Sequence, residues 1–326
     1  MKTLKKTISF LFLSLITISC SSGVDDSVPT PIPSGPGNVY VAGNESNGTK
    51  SVAKYWKNNV PTNLTDGTNN GILRGLYVSD NDIYTVGYEE NGVNTAVAKL
   101  WKNGVVTNLT DGIQYAQAIS VFVAGSDTYV AGFEDTAANT SIAKIWKNGI
   151  STNLNDGVKV GFANGVFVSG NNVYASGGLS ITDGGTDYVP TLWKNGIAAS
   201  LDNGTSQGRC TSVFVSGSDV YASGYQQNGA LFTARIWKNG VATNLTDGTK
   251  YATAESIFVA GNDVYVAGYE RDVTKFVAKI WKNGIATNLT DGTNNAYVKS
   301  VFVSGNDVYA SGYEMNGTKY LIEKIS

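Results

Sequence analysis

Six tryptophans, at positions 56, 101, 146, 193, 237 and 281, stand 44 to 47 residues apart, and each is followed by Lys-Asn. A fixed period of this length constrains a fold more than composition does, because each repeat must be one supersecondary unit that buries its apolar surface against the next. A second phrase, "VYVAG" and its variants, recurs seven times, with its Tyr at 40, 84, 129, 174, 221, 265 and 309. Residues 255–289 show what one period contains. "ESIFVAG" is an apolar run rich in β-branched and aromatic residues, and "ND" marks a tight turn into "VYVAGYE". "FVAKIWK" follows, then Asn283-Gly284, the dipeptide of a type I′ hairpin, which needs positive φ at both positions. "IATNL" and Asp291-Gly292 close the unit. These four strand signals are called A, B, C and D. The 38 Gly and 18 Tyr against 6 Pro suit such a turn-and-strand chain.

Four antiparallel strands every 44 or 45 residues is the period of a β-propeller blade. A–B and C–D are tight turns and D–A is the longest regular link, so A lines the axis and D forms the rim. B and C strands occur seven times if "YLIEKI", Tyr320 to Ile325, is a C strand, and D strands occur six times. A strands occur six times, with a seventh in "TPIPSGPGNVYVAG", whose Pro31 and Pro33 suit only an edge. The expected fold is therefore an all-β propeller of seven four-stranded blades, with six as the alternative. The last blade lacks its own D strand and is completed by the N-terminal segment or by nothing. The repeats resemble bacterial extracytoplasmic propeller repeats with a V-Y-V-x-G strand, such as the surface-layer YVTN type, over nearly all of residues 38–326. That resemblance carries no functional residues with it.

Residues 1–19 read as a leader: Lys2, Lys5 and Lys6 precede the apolar run "ISFLFLSLITIS", which is too short to span a bilayer. With Cys20 and "SSG" after it, the segment resembles a bacterial lipoprotein signal, although Thr17 stands where Leu is usual. The resemblance implies lipidation of Cys20. Residues 20–37, rich in Pro, Ser and Gly, form a flexible tether, and 38–326 form the propeller. Asp25 and Asp26 resemble the acidic signals that send lipoproteins to the cell surface. The expected location is the outer membrane, on its cell-surface or its periplasmic side with the acidic pair favouring the surface, and membrane contact is expected only through the lipid. A lipidated Cys20 leaves Cys210 without a disulfide partner.

The chain contains no His, which removes Ser-His and Cys-His nucleophile pairs and imidazole metal sites. Its formal charge is −2, and −5 without the three leader lysines, so nothing points to nucleic acid. No cofactor or metal is expected. The six Asp at the D-strand ends (66, 111, 156, 202, 247 and 291) are assigned to turn closure rather than to Ca²⁺, since one carboxylate per blade is not an oxygen cage. The Trp of strand C is assigned to packing between blades.

Recurring residues have a mechanical reason to recur, so the positions that vary are the candidates for function. B–C and D–A loops share one face of a propeller, and the tight turns share the other. At the start of strand A, four residues before its aligned Ser or Gly, the residue is always small: Gly71, Ala116, Gly161, Gly208, Ala252 or Ala296. Three before stand Ile72, Gln117, Phe162, Arg209, Thr253 and Tyr297, and one before stand Arg74, Ile119, Asn164, Thr211, Glu255 and Lys299. From these, Arg74, Gln117, Phe162, Asn164, Arg209, Glu255, Tyr297 and Lys299 form the expected ligand-binding set at the channel mouth, with Tyr115 and Tyr251 as further stacking rings. The long B–C loop of one repeat adds Asp183, Asp187 and Tyr188. The sequence favours a binding module for a glycan, a peptide or an envelope protein over an enzyme. The alternatives are a carbohydrate-active hydrolase or lyase, which would need a pair of loop-face carboxylates, and a purely structural envelope protein.

Overall fold

The computed structural model describes residues 8–13, 38–92, 95–138, 140–204 and 206–315. The chain is a seven-bladed β-propeller. Blades 2 to 6 are antiparallel four-stranded sheets in simple A-B-C-D order. Blade 2 runs Gly71–Ser79, Asp82–Glu90, Ala96–Lys102 and Val105–Asn108, and blade 6 runs Ala252–Ala260, Asp263–Asp272, Lys275–Lys282 and Ile285–Asn288. The A strands of blades 3, 4, 5 and 7 are Ala116–Ala124, Gly161–Ser169, Gly208–Ser216 and Ala296–Ser304. In blade 7 the described residues hold that strand and its B strand, Asp307–Glu314; the expected C strand at Tyr320 to Ile325 lies outside them.

Blade 1 differs from the expectation. Its B, C and D strands are Tyr40–Ser46, Ser51–Lys57 and Val60–Asn63, and its A strand is Ile8–Leu13, from the segment assigned to the leader. Of the stretch "TPIPSGPGNVYVAG" proposed to hold that strand, the part before Asn38 lies outside the described residues and the part from Tyr40 is the B strand. Ile8–Leu13 pairs antiparallel with Tyr40–Ser46 and lies against the inner strand of blade 2 and both strands of blade 7, which closes the ring. An apolar run of strand length occupies the one inner position that the repeats leave unfilled.

The repeated residues do what their chemistry dictates. Asn283 and Gly284 have φ of 49° and 82°, the two positive values a type I′ turn requires. Adjacent side chains of strand C serve opposite faces: Ile280 packs into the core shared with blade 7 and Trp281 into the core shared with blade 5. Trp101, Trp146, Trp193, Trp237 and Trp281 are at most 1 % exposed, and Trp193 Nε1 donates to the Leu154 carbonyl across the blade interface. Each D-strand Asp closes its turn by accepting the backbone N–H two residues on, as in Asp66 to Thr68 and Asp291 to Thr293. These bonds hold the Asp66 and Asp291 carboxyls below their ordinary value, and Asp202 accepts in the same way from Gly204.

On the turn face, the Lys after each Trp lies over the Tyr of strand B, as Lys147 does over Tyr129 at 5.3 Å. In four blades it also pairs with an Asp, as in Lys102–Asp82 at 2.8 Å and Lys238–Asp219 at 2.7 Å. Nearer the axis, Tyr77, Phe122, Phe167, Phe214, Phe258 and Phe302 pack ring to ring from blade to blade, with centroids 4.6 to 4.9 Å apart. Rings this close in equivalent positions of successive blades must encircle the axis at small radius. They form a collar that narrows the channel at its turn-face end.

Candidate functional site

Every A strand of blades 2 to 7 carries a β-bulge at the same place. In blade 2, Leu73 pairs with Gly87 and Gly75 with Val86, so Arg74 is the extra residue; in blade 6, Ala254 pairs with Gly268 and Ser256 with Ala267, so Glu255 is extra. The equivalents are Ile119, Asn164, Thr211 and Lys299. A bulged residue is freed from the ladder and re-aimed, which is why bulges gather beside binding sites. Here they aim one unrepeated side chain per blade at the channel.

The bulge explains the glycine of the recurring "V-x-G". The carbonyl two residues before each bulge is pressed over that glycine: Gln117 O over Gly132 and Thr253 O over Gly268. A Cβ at either position would collide with the oxygen, so only Gly admits this close approach. Gly87, Gly177, Gly224 and Gly312 lie under the same carbonyl in their own blades. The most regular phrase in the chain therefore builds the place where the chain is least regular.

The loop-face mouth of the channel is a cavity of about 630 Å³, lined by residues of blades 2 to 7. Arg74, Gln117, Phe162, Asn164, Arg209, Glu255 and Lys299 all line it. Tyr297 does not: it packs sideways in a cluster with Tyr269, Phe276 and Tyr313, because its own cross-strand partner is the large ring of Tyr313. Tyr251 lines the cavity, whereas Tyr115 stands behind it and takes a hydrogen bond from Gln117. Asp183 and Asp187 are not among the lining residues, so Glu255 is the one carboxylate there.

The structure adds Phe133, Tyr225 and Tyr269 to the walls. Each follows the bulge glycine on strand B and faces a variable residue across the ladder: Phe133 opposite Gln117, Tyr225 opposite Arg209, Tyr269 opposite Thr253. They were missed because "G-Y" and "G-F" recur, and recurrence suggested scaffold. Their position directly after the glycine was the available signal. In blade 4 the order is reversed, with Gly178 on strand B and the ring on strand A, at Phe162. Into the room left beside Gly178 comes Arg209, whose guanidinium lies 4.5 Å from the Tyr188 ring and 5.2 Å from that of Phe162.

Electrostatics divide the cavity. Glu255 is tied to Lys299 at 3.2 Å and accepts from the Thr253 hydroxyl at 3.0 Å, while Lys299 lies over Tyr269. Burial pushes the Tyr225 hydroxyl up to about 12 and that of Tyr269 higher still. Arg74 lies 5.7 Å from the Tyr88 ring, and its Nε is shielded from solvent without a hydrogen-bond partner. Two polar lining residues are partly spent on the frame: Asn164 Nδ2 donates to the Cys210 carbonyl of the next blade at 3.0 Å, and the Thr211 hydroxyl to that of Ala254 at 2.7 Å. Cys210 itself is buried, and burial pushes its thiol up to about 12, so it is not a nucleophile. Among the described residues no group of three Cys, Asp or Glu is placed to hold a metal ion.

No protein-family model matches this sequence, and no curated protein does. Among solved structures, a Mycobacterium tuberculosis puromycin-hydrolyzing peptidase is similar, with a TM-score of 0.57, 8 % identity and coverage of 88 % of this chain. The match takes in 52 % of the peptidase chain, so this protein spans about half its length. At that identity the likeness speaks for the fold alone.

Proposed function

We propose that this protein is an exported, lipid-anchored binding module that takes its ligand in the loop-face mouth of the propeller channel. The observation that carries this reading is the cavity itself. Six near-identical blades place different side chains at one bulge around a pocket of about 630 Å³, within the size range of small-molecule sites. Glu255, the one lining carboxylate, is held by Lys299, which favours binding over a two-carboxylate hydrolase. The sequence has no His, so its own residues cannot form a Ser-His-Asp triad. A binding screen of the purified full chain against glycans, envelope peptides and envelope proteins tests the reading. The expected result is a ligand lost by an Arg74→Ala, Phe162→Ala, Arg209→Ala triple variant of unchanged Tm. A ligand held equally by both places the site elsewhere.

Anchoring through Cys20 implies that Ile8–Leu13 is removed during export. Intact-mass measurement of the membrane-derived protein is expected to show a lipidated N-terminus at Cys20; a mass that retains residues 8–13 overturns the anchor.

A further inference from the structure

We propose that the ligand of this pocket is an acidic saccharide, a short oligosaccharide carrying carboxylates on more than one sugar ring; this rests on the pocket being the binding site. Charge is the first reason. Arg74, Arg209 and Lys299 line the cavity against the single carboxylate of Glu255, and Lys299 already neutralises that carboxylate. None of the ion pairs among the described residues involves either arginine. Two uncompensated guanidiniums thus face one cavity in a chain whose net charge is −2. A concave site of one sign inside a chain of the other focuses the field and draws in anions.

Both guanidiniums are prepared to receive a carboxylate. Arg209 lies against Phe162 and Tyr188, whose ring centroids are 5.3 Å apart, so both rings hold the guanidinium from one side and the rest of it suits a forked pair with two oxygens. Arg74 lines the cavity beside the Tyr88 ring, with no carboxylate among the described residues paired to it. The two stand on blades 2 and 5, on opposite sides of a seven-bladed ring. Dispersed cations suit a ligand whose acids are spaced along a chain. A single phosphate would call for cations that converge.

The walls account for the rest of the ligand. Phe133, Phe162, Tyr225 and Tyr269 present aromatic surface that the C–H faces of sugar rings can cover, and the Gln117 amide oxygen, whose nitrogen is held by Tyr115, can accept from a sugar hydroxyl between them. The aromatic rings that run through blades 2 to 7 narrow the turn-face end of the channel, which suits an end or a short segment of a chain.

Isothermal titration of the full chain with a uronic-acid oligosaccharide, a neutral oligosaccharide of the same length, inorganic phosphate and an oligoglutamate peptide tests the proposal. The expected result is binding of the uronate alone, weakening as salt rises. Arg74→Gln and Arg209→Gln are each expected to weaken it about tenfold or more with Tm unchanged, and Arg209→Lys not to restore it. If Arg209→Gln fails to fold, Arg74→Gln and the salt dependence carry the test. Failure to bind uronate, equal binding of the neutral sugar, or preference for phosphate or the peptide overturns the acid-saccharide inference and leaves the pocket reading standing. Uronate binding that survives both substitutions overturns the inference and the pocket reading together.

Discussion

The two faces of this propeller are made by the same repeats and obey opposite rules. On the turn face, Asn-Gly hairpins, the Lys-over-Tyr contact and the Lys–Asp pair recur with little change from blade to blade. On the loop face, the bulged residue is a guanidinium, an aliphatic chain, an amide, a hydroxyl, a carboxylate and an ammonium in turn. Turn dihedrals can be met by few residues, so the first face has little freedom. A bulge fixes only the backbone beneath it, so the second accepts any side chain. Sequence variation in this chain therefore marks where the backbone has stopped dictating chemistry.

The sharpest way to break the contrast is to attack what both faces share. Trp193→Ala removes a fully buried ring between blades 3 and 4 and is expected to cost about 3–5 kcal/mol in a denaturant titration. Gly132→Ala sets a methyl against the Gln117 carbonyl and is expected to cost about 3 kcal/mol. The same alanine at Gly149, a turn glycine with φ of 82° and open space around it, meets only backbone strain, expected at about 1 kcal/mol. Finding the two glycine variants equal would deny the bulge its special demand.

Smaller effects separate the faces further. Asp82, Asp127, Asp219 and Asp263 are held below the ordinary carboxylate value by hydrogen bonds from the paired Lys and the turn Asn. Their contribution is fully present above the unfolded value of about 4 and is lost as pH falls through the lower folded values. The same hydrogen bonds raise the lysines, Lys102 to about 12, so their share is full below the unfolded value of about 10.4 and is lost as pH rises through the folded one. Tm is expected to be flat between those limits and to fall gently outside them. Because these pairs are exposed, Asp127→Asn should leave Tm nearly unmoved at neutral pH. Blade 4 makes that case naturally, with Asn172 in the Asp position and accepting from Asn195. Arg74→Gln and Arg209→Gln are expected to be the quietest of all in stability and the loudest in ligand binding.

Much of the fold was legible because its signals are local. Asn283-Gly284 names its own turn, the paired Ile280 and Trp281 name two buried faces, and the Trp spacing names the blade. The inner strand of blade 1 was not legible. Ile8–Leu13 carries no repeat phrase, and its place was decided by the vacancy beside Tyr40–Ser46, a long-range fact. The variable set was found because variation is visible, and seven of its eight residues share one cavity. Tyr297 was lost to a neighbouring ring, and Phe133, Tyr225 and Tyr269 were hidden by their own recurrence.

The sequence alone determined the period, the four strands of blades 2 to 6, the hairpin turns and the burial of five of the six tryptophans. Turn dihedrals and alternating burial are properties of a few neighbouring residues, so they can be read one segment at a time. The tertiary structure decided that the start of strand A bulges, that the V-x-G glycine lies under a carbonyl to allow it, and that Arg74 and Arg209, which lie 135 positions apart in the sequence, look into the same space. A pocket at the axis of a ring belongs to no single repeat, and only closing the ring brings its walls together.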